Sequence, residues 1–243
     1  MEILLFIFPL LSFLLFQFFN QKIRSEILYA INIFLLGLCF LLSLYIFIKI
    51  LNLDKDLPLF FYTFIKLESL FIDWKLRFDL LVSSLAVLVT FIGLLITLYS
   101  INLSKNNVIN LQINSYLSLS IFGLLVLISS NNLIQFFLGW YLIILSSYII
   151  SNISENKVEN RNVFFENRIS DLCFFLSLYF IYTFSNSINF DVIFKSFQII
   201  ESKITILNKT FSSFQIVIFI LFFSFWSFFS FKLIYFYKNF KFR

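Results

Sequence analysis

Long apolar runs separated by short polar stretches dominate the pattern of this chain. A helix needs about 20 mostly apolar residues to cross the hydrocarbon core of a membrane, and the runs approach or reach that length. They are solidly apolar and do not alternate, which favours helices over the strands of a membrane β-barrel. The sequence therefore predicts an all-α integral membrane protein with about seven transmembrane helices. Their predicted bounds are Ile3–Phe19, Ile27–Ile48, Leu80–Leu103, Leu111–Ile128, Leu133–Ile150, Ile169–Phe184 and Phe214–Tyr237.

The stretches between the apolar runs define the expected organisation. Residues 51–79 mix apolar with charged side chains. We therefore expect an extramembrane interfacial loop there, between two amino-terminal transmembrane helices (1–50) and five further ones (80–243). Residues 151–168 are polar and predict a linker, and residues 185–210 are polar and partly amphipathic. None of these stretches predicts a soluble domain.

Composition narrows the class of protein. Charged residues are 13% of the 243 residues, whereas soluble domains carry about a quarter. The net charge is +5, but the basic residues are scattered between apolar runs. That is typical of interfacial anchors and predicts contacts with membrane lipids and no nucleic-acid partner. The chain has no His, four Gly, and two isolated cysteines, Cys39 and Cys173. We therefore expect no metal site and no cofactor.

A few amino-acid types account for most of the apolar residues. Phe occurs 39 times, whereas Pro occurs twice. The dominant residues (Phe, Ile, Leu, Asn, Lys, Tyr and Ser) are mostly those of A/T-rich codons. We interpret the bias as mutational and not as an aromatic function. An A/T-rich gene for a membrane protein fits an organelle genome, most often a mitochondrial one.

Two polar segments inside the apolar runs carry a recognisable pattern. The fifth run opens with Asn132-Leu133-Ile134-Gln135-Phe136-Phe137-Leu138-Gly139-Trp140-Tyr141 and continues to Ser146-Ser147-Tyr148. The sixth opens with Asn167-Arg168-Ile169-Ser170-Asp171. The order and spacing of these segments resemble chain 5 of NADH:ubiquinone oxidoreductase, the respiratory complex I. In that family a Gly-Trp-Glu segment is followed by Asn-Arg-x-Gly-Asp about two dozen residues later.

The resemblance implies a fold, a function and partners. It implies a partial antiporter-like bundle, in a membrane-arm subunit that has no redox role and is not catalytic alone. The enzyme would be the proton-pumping complex I of the mitochondrial inner membrane. The expected partners are other membrane-arm subunits. Family members are longer and carry a second antiporter-like half, so we also expect a separate chain with the remainder. Two alternatives stay open: a stand-alone cation/proton antiporter subunit, and a purely structural membrane subunit.

The resemblance also implies proton-path candidates. Tyr141 replaces the family Glu that follows Gly-Trp, and a phenol stays neutral at pH values where a carboxylate can change its charge. Lys232 can be aligned with a functional Lys of the family's seventh helix, although the family's Gly and Gln are missing beside it. Alternatively, Lys232 snorkels from a helix end to the membrane interface.

Three further charged residues are candidates for the same path. Asp79 stands where the family has an Asp before its third helix. Arg168 and Asp171 are three residues apart, so they share a helix face and can form an ion pair. That pair could belong to the proton path, or it could neutralise two charges at the membrane edge. No catalytic residue is expected in this chain.

Overall fold

The computed structural model describes most of the chain up to Ser212. The described ranges are 2–19, 23–53, 57–66, 71–103, 108–154, 157–199, 203–206 and 209–212. The predicted seventh helix at 214–237, with Lys232, lies outside the described residues.

Within these ranges the chain is predominantly helical, which confirms the predicted fold class. The helices are α1 (Leu4–Phe19), α2 (Ser25–Leu53), α3 (Leu80–Leu103), α4 (Val108–Ile128), α5 (Leu133–Ser154), α6 (Lys157–Ser185) and α7 (Phe190–Ile199). Four stretches of the described residues are long and apolar enough to cross a membrane: Ser25–Asn52, Leu80–Ser100, Leu111–Ile128 and Leu133–Ile150. The shorter α1 is also apolar. The total of seven spans stays a prediction.

Helices α1 to α5 form a bundle in which α4 is central. Helix α4 packs against α1, α3 and α5, while α2 packs against α1 and α3. The core between α1, α2, α3 and α4 includes the buried side chains of Leu5, Leu36, Cys39, Ile46, Ala86, Ile121 and Leu125. Many large apolar side chains of α2 and α3 point outward instead. This arrangement suits helices that are surrounded by lipid, where an apolar surface costs nothing.

Helix α2 continues past its predicted end at Ile48 to Leu53. Within this extension, Lys49 Nζ donates to Glu2 Oε1 at 3.0 Å. The pKa of Glu2 is lowered, mainly by a hydrogen bond to its own backbone and also by Lys49, against the effect of partial burial. The ion pair ties the start of α1 to the end of α2 and allows the helix to continue through a charged residue.

Residues 51–79, predicted as a loop, contain two strands. These are β1 (Leu57–Lys66) and β2 (Phe71–Phe78), which pair in a two-stranded sheet. In β2, Asp73, Lys75 and Arg77 alternate with apolar residues, and this period of two is the signal of a strand. The end of β2 is anchored to the bundle, because the Arg77 backbone N–H donates to Ser129 O at 3.0 Å.

The predicted polar linker at 151–168 is wrong. Helix α5 continues to Ser154, and α6 begins at Lys157 and runs for 29 residues. The stretch contains no Gly or Pro and is rich in Glu, Lys and Arg. Residues of that kind favour a helix whether or not they are apolar, so hydropathy misses this part of α6. Helix α6 ends before Asn186, whose φ of 51° lies in the left-handed region that Asn tolerates at helix ends.

Helices α6 and α7 pack against each other in a unit separate from the five-helix bundle. The partly amphipathic stretch at 185–210 contains α7 and strand β3 (Lys203–Ile206). This strand pairs antiparallel with β4 (Lys209–Ser212).

Two glycines let α4 and α5 approach closely. A Cβ atom built on Gly139 would lie 2.6 Å from the backbone N of Leu127 and 2.8 Å from Gly123 O. A Cβ atom on Gly123 would lie 3.1 Å from Gly139 O. Small residues at such contacts allow membrane helices to pack backbone against backbone. The Gly of the Gly139-Trp140 segment is therefore required by packing.

We expect Gly139→Ala to destabilise the α4–α5 contact by about 1–3 kcal/mol, the usual cost of overpacking a tight site. The backbone of Leu127 cannot move aside as a flexible side chain can. The measurement is the thermal unfolding midpoint of the detergent-solubilised protein.

Gly37→Ala is the matched control. A Cβ atom there meets Leu94 Cδ1 at 3.8 Å, an ordinary contact, so this variant should match the wild type. Equal midpoints for the two variants would contradict the packing argument.

Candidate functional site

The start of α5 is held by a capping residue. Asn132 Oδ1 accepts a hydrogen bond from the backbone N–H of Gln135 at 2.7 Å, and Asn132 O accepts one from the N–H of Phe136 at 3.0 Å. Asn is one of the preferred residues at this position, because its side chain satisfies a free N–H of the first turn. The first residue of the recognisable segment thus fixes where the helix begins.

Tyr141 lies in the middle of the α5 span. It is the ninth residue of the 18-residue stretch Leu133–Ile150, about 13 Å along the helix from Asn132 at 1.5 Å per residue. The side chain is half-buried, and its ring centroid lies 6.2 Å from that of Phe137. Position 141 therefore carries a phenol at the depth where a charge would be most strongly felt.

Asp79 lies at the membrane edge and caps α3. Its Oδ1 accepts a hydrogen bond from the N–H of Val82 at 2.7 Å, and its backbone O accepts one from the N–H of Ser83 at 3.0 Å. Arg77 Nε lies 3.9 Å from Asp79 Oδ2. These contacts account for an acidic residue at the start of a membrane helix, because the cap and the helix dipole both favour it.

Arg168 and Asp171 form the ion pair that their spacing predicts. Arg168 Nη1 lies 3.2 Å from Asp171 Oδ2. The Asp171 side chain is 8% exposed, and that of Arg168 is 36% exposed. A buried carboxylate is costly unless its charge is balanced, and the guanidinium three residues earlier supplies that balance within the same helix.

The structure brings Arg168 and Asp171 together on α6. Within the five-helix bundle, Asp79 lies at the end of one span and Tyr141 at the middle of another. Lys232 lies outside the described residues. Among those residues, no group of three or more His, Cys, Asp or Glu side chains could hold a metal ion.

A buried set of uncharged polar side chains was missed by the sequence reasoning. Ser12 on α1 donates to Asn32 Oδ1 on α2, at 2.5 Å. Ser118 on α4 lies 3.3 Å from the same oxygen and 3.2 Å from Ser12 Oγ. About three turns further along α2, Ser43 Oγ lies 2.9 Å from Thr90 Oγ1 on α3. The sequence signal that could have indicated this set was Asn32 inside an apolar run, because a polar side chain in a membrane costs free energy unless it has a partner.

Most hydroxyl groups in the spans are satisfied within their own helix. They donate to the carbonyl oxygen three or four residues earlier, a bond open to Ser and Thr in any helix. Examples are Ser83, Thr97, Ser129, Ser146 and Ser177. The many serines of the apolar runs therefore need no function of their own.

Two family descriptions match the chain. Residues 130–235 match the family described as "NADH:quinone oxidoreductase/Mrp antiporter, TM". Residues 64–102 match "NADH-Ubiquinone oxidoreductase (complex I), chain 5 N-terminus". The first match includes α5 and α6, and the second includes β2 and most of α3.

Two respiratory-chain subunits from other organisms are similar in sequence to this chain. NADH-quinone oxidoreductase subunit L of Rickettsia typhi is 28% identical over 207 residues, which cover 83% of this chain and 32% of that protein. NADH-ubiquinone oxidoreductase chain 5 of Acanthamoeba castellanii is 30% identical over 214 residues, which cover 84% of this chain and 30% of that protein. The chain thus spans about a third of the length of these relatives.

Among solved structures, an archaeal membrane-bound sulfane sulfur reductase contains a chain of similar fold. The TM-score is 0.62 at 16% identity, with 78% of this chain and 38% of that chain covered. At this identity the likeness concerns the fold alone.

We expect the two substitutions Asp79→Asn and Asp79→Ala to test the capping role. Asn keeps an acceptor for the Val82 N–H, whereas Ala loses it at a cost of about 0.5–2 kcal/mol. The Asn variant should therefore keep the thermal stability of the wild type, and the Ala variant should be less stable.

The measurement is the thermal unfolding midpoint of the detergent-solubilised protein. An Ala variant as stable as the wild type would contradict the capping role.

Proposed function

We propose, since this chain belongs to the chain 5-like family of antiporter-like complex I membrane subunits, that it builds part of a proton-pumping NADH:ubiquinone oxidoreductase. Its place would be the distal antiporter-like module of the membrane arm. The observation that carries the proposal is the presence of both family matches, in order along the chain, at 64–102 and 130–235. The chain would serve as a subunit without redox chemistry, because it offers no recognisable cofactor motif.

The partners follow from the outward faces of the bundle, where many large apolar side chains of α2 and α3 are exposed. We infer that other membrane-arm subunits and lipids cover these apolar faces. The A/T-codon bias of the composition supports a mitochondrial inner-membrane location.

The chemistry at position 141 favours a reduced role in proton transfer. A carboxylate at mid-span can switch between charged and neutral forms under the influence of a nearby charge. Position 141 carries a phenol in place of that carboxylate, and α5 contains no acidic residue. We therefore propose that the Arg168–Asp171 pair acts as a structural ion pair. On this view the chain keeps its place in the assembly with weakened proton transfer.

A second candidate is a stand-alone cation/proton antiporter subunit. It is favoured by the matched family description, which includes Mrp antiporters beside the quinone oxidoreductases. The lack of a mid-span acid in α5 argues against transport by this chain alone. Cation-driven proton flux in liposomes that contain the purified chain would favour this candidate.

The test is the subunit composition of native complex I purified from the source organism. Mass spectrometry should find this chain in the membrane arm. A pure and active complex I without this chain would refute the proposal.

We expect Lys232→Met to leave the ratio of protons pumped to NADH oxidised unchanged, because on this proposal the proton path already lacks its carboxylate at position 141. The ratio is measured in vesicles that contain the assembled enzyme. Lys232→Arg is the control, since it keeps the charge and the ability to snorkel.

Assembly must be intact in both variants, as judged by the NADH oxidation rate. A clear fall of the ratio with Met, and none with Arg, would show that Lys232 takes part in proton transfer despite Tyr141.

A further inference from the structure

A groove lies between α3 and α4 on the outer surface of the five-helix bundle. Its volume is about 280 Å³. One wall is a row of three α3 residues, spaced four apart, whose side chains are about half exposed: Leu88, Ile92 and Ile96. Leu117 and Leu124 of α4 form the other wall. This α3–α4 groove therefore opens away from the bundle, toward whatever surrounds the two helices.

Small residues on both helices leave the space for this groove. Gly93 of α3 and Ser120 of α4 line it between the larger residues of the walls. A Cβ atom built on Gly93 would lie 2.5 Å from Ile121 Cδ1. The side chain of Ile121 thus occupies the space that a side chain at position 93 would need. The two helices are in contact below the groove, which is a feature of their own packing.

The lining of the groove offers a ligand almost no polar contact. Among the described residues that line it, Ser120 has the one polar side chain, and its hydroxyl donates to Leu117 O of the same helix at 2.7 Å. Apolar cavities stay dry, because a buried water needs several polar partners. A charged or strongly polar ligand would lose its hydration without compensation. The groove therefore suits an apolar occupant.

The depth of the groove shows which apolar material is available to it. Helices α3 and α4 carry two of the stretches that can cross a membrane, Leu80–Ser100 and Leu111–Ile128. On both helices the lining residues begin and end about 6–12 Å inside the stretch, at 1.5 Å per residue. The groove thus lies within the hydrocarbon core, which is about 30 Å thick. Lipid tails are the surrounding medium at that depth.

The groove is long and narrow. Its α3 wall runs for eight residues along the helix axis, about 12 Å. Spread over that length, the volume of 280 Å³ corresponds to a cross-section of about 23 Å², whereas a helix about 10 Å in diameter has a cross-section of about 80 Å². A neighbouring helix is therefore too wide to enter the groove. A single alkyl chain is thin enough, and lipid tails run in the same general direction as membrane-spanning helices.

We propose that the α3–α4 groove binds one alkyl chain of a membrane lipid. Such a chain needs no hydrogen bond, is present at this depth and fits the width of the groove. If the groove were empty, the side chains that line it would lose the dispersion contacts that a close-packed neighbour supplies. A chain in the groove touches protein on two sides, so it is more ordered than lipid beside a convex helix surface.

The inference is independent of the proposed function, because it rests on α3 and α4 as membrane spans and not on complex I membership. It also goes beyond a general lipid cover of the apolar faces. It assigns one lipid tail to one place on the bundle, where the tail completes the packing of two helices.

The test is an electron cryomicroscopy map of this chain, purified from its native membrane with any bound partners and transferred to nanodiscs of phosphatidylcholine. The expected result is a continuous, unbranched density along the groove, about as strong as that of the side chains that line it. Bromine scatters electrons strongly. Nanodiscs of phosphatidylcholine with brominated acyl chains should therefore strengthen this density.

A matched pair of variants tests whether the density depends on the shape of the groove. Ser120→Leu should remove it, because the larger side chain fills the groove from α4. Ser147→Leu is the control. Ser147 is half-buried like Ser120 and also donates to the carbonyl oxygen three residues earlier, but it lies on α5, outside the groove. The control should leave the density in place.

The wild-type map alone decides the matter if the Ser120→Leu variant fails to fold. An empty groove would overturn the proposal, and so would side chains of a protein segment in it, whether from residues 213–243 or from a partner. Density that bromination leaves unchanged, or that persists in the Ser120→Leu variant, would also overturn it.

Discussion

The structure depends on the rule that polar groups inside a membrane must be satisfied by protein or by bound water, since hydrocarbon offers no hydrogen bonds. The helices satisfy their own backbones, and serines and threonines of the spans bond back to carbonyl oxygens of the same helix. Asp79 and Asn132 satisfy free N–H groups where α3 and α5 begin. The same rule accounts for the amides of Asn32 and Asn114, which accept hydrogen bonds from serines of other helices.

The five apolar helices could be predicted from the sequence, because membrane insertion depends on the length and hydropathy of a segment, and both are local. Helix α3 was predicted with the bounds that the structure has, Leu80–Leu103. The prediction of a linker at 151–168 was wrong for a related reason. Hydropathy indicates which segments are buried in lipid, and it does not detect helices with a polar surface. The extension of α2 depends on Glu2, 47 residues away from Lys49, and no local pattern contains that information.

The features of the candidate site likewise divide into those that a local sequence pattern predicts and those that depend on how the helices pack. The Arg168–Asp171 pair follows from a spacing of three on one helix, and the mid-span depth of Tyr141 follows from the length of its run. The capping role of Asp79 follows from an acidic residue placed just before a helix. The contact of Ser12, Asn32 and Ser118 involves three helices, and it depends on how those helices are rotated about their axes. A single sequence gives no measure of that rotation.

The close approach of Gly123 and Gly139 has a mechanical consequence for α5. Two backbones in direct contact cannot slide past each other without collision, because the neighbouring residues of both helices carry side chains. Rocking about the contact remains open, so any rearrangement of α5 would be a tilt with its pivot two residues from Tyr141. A point so near the pivot moves little while the helix ends swing. In such a tilt the side chain at position 141 would move little, while the two ends of α5 at the membrane surfaces would move most.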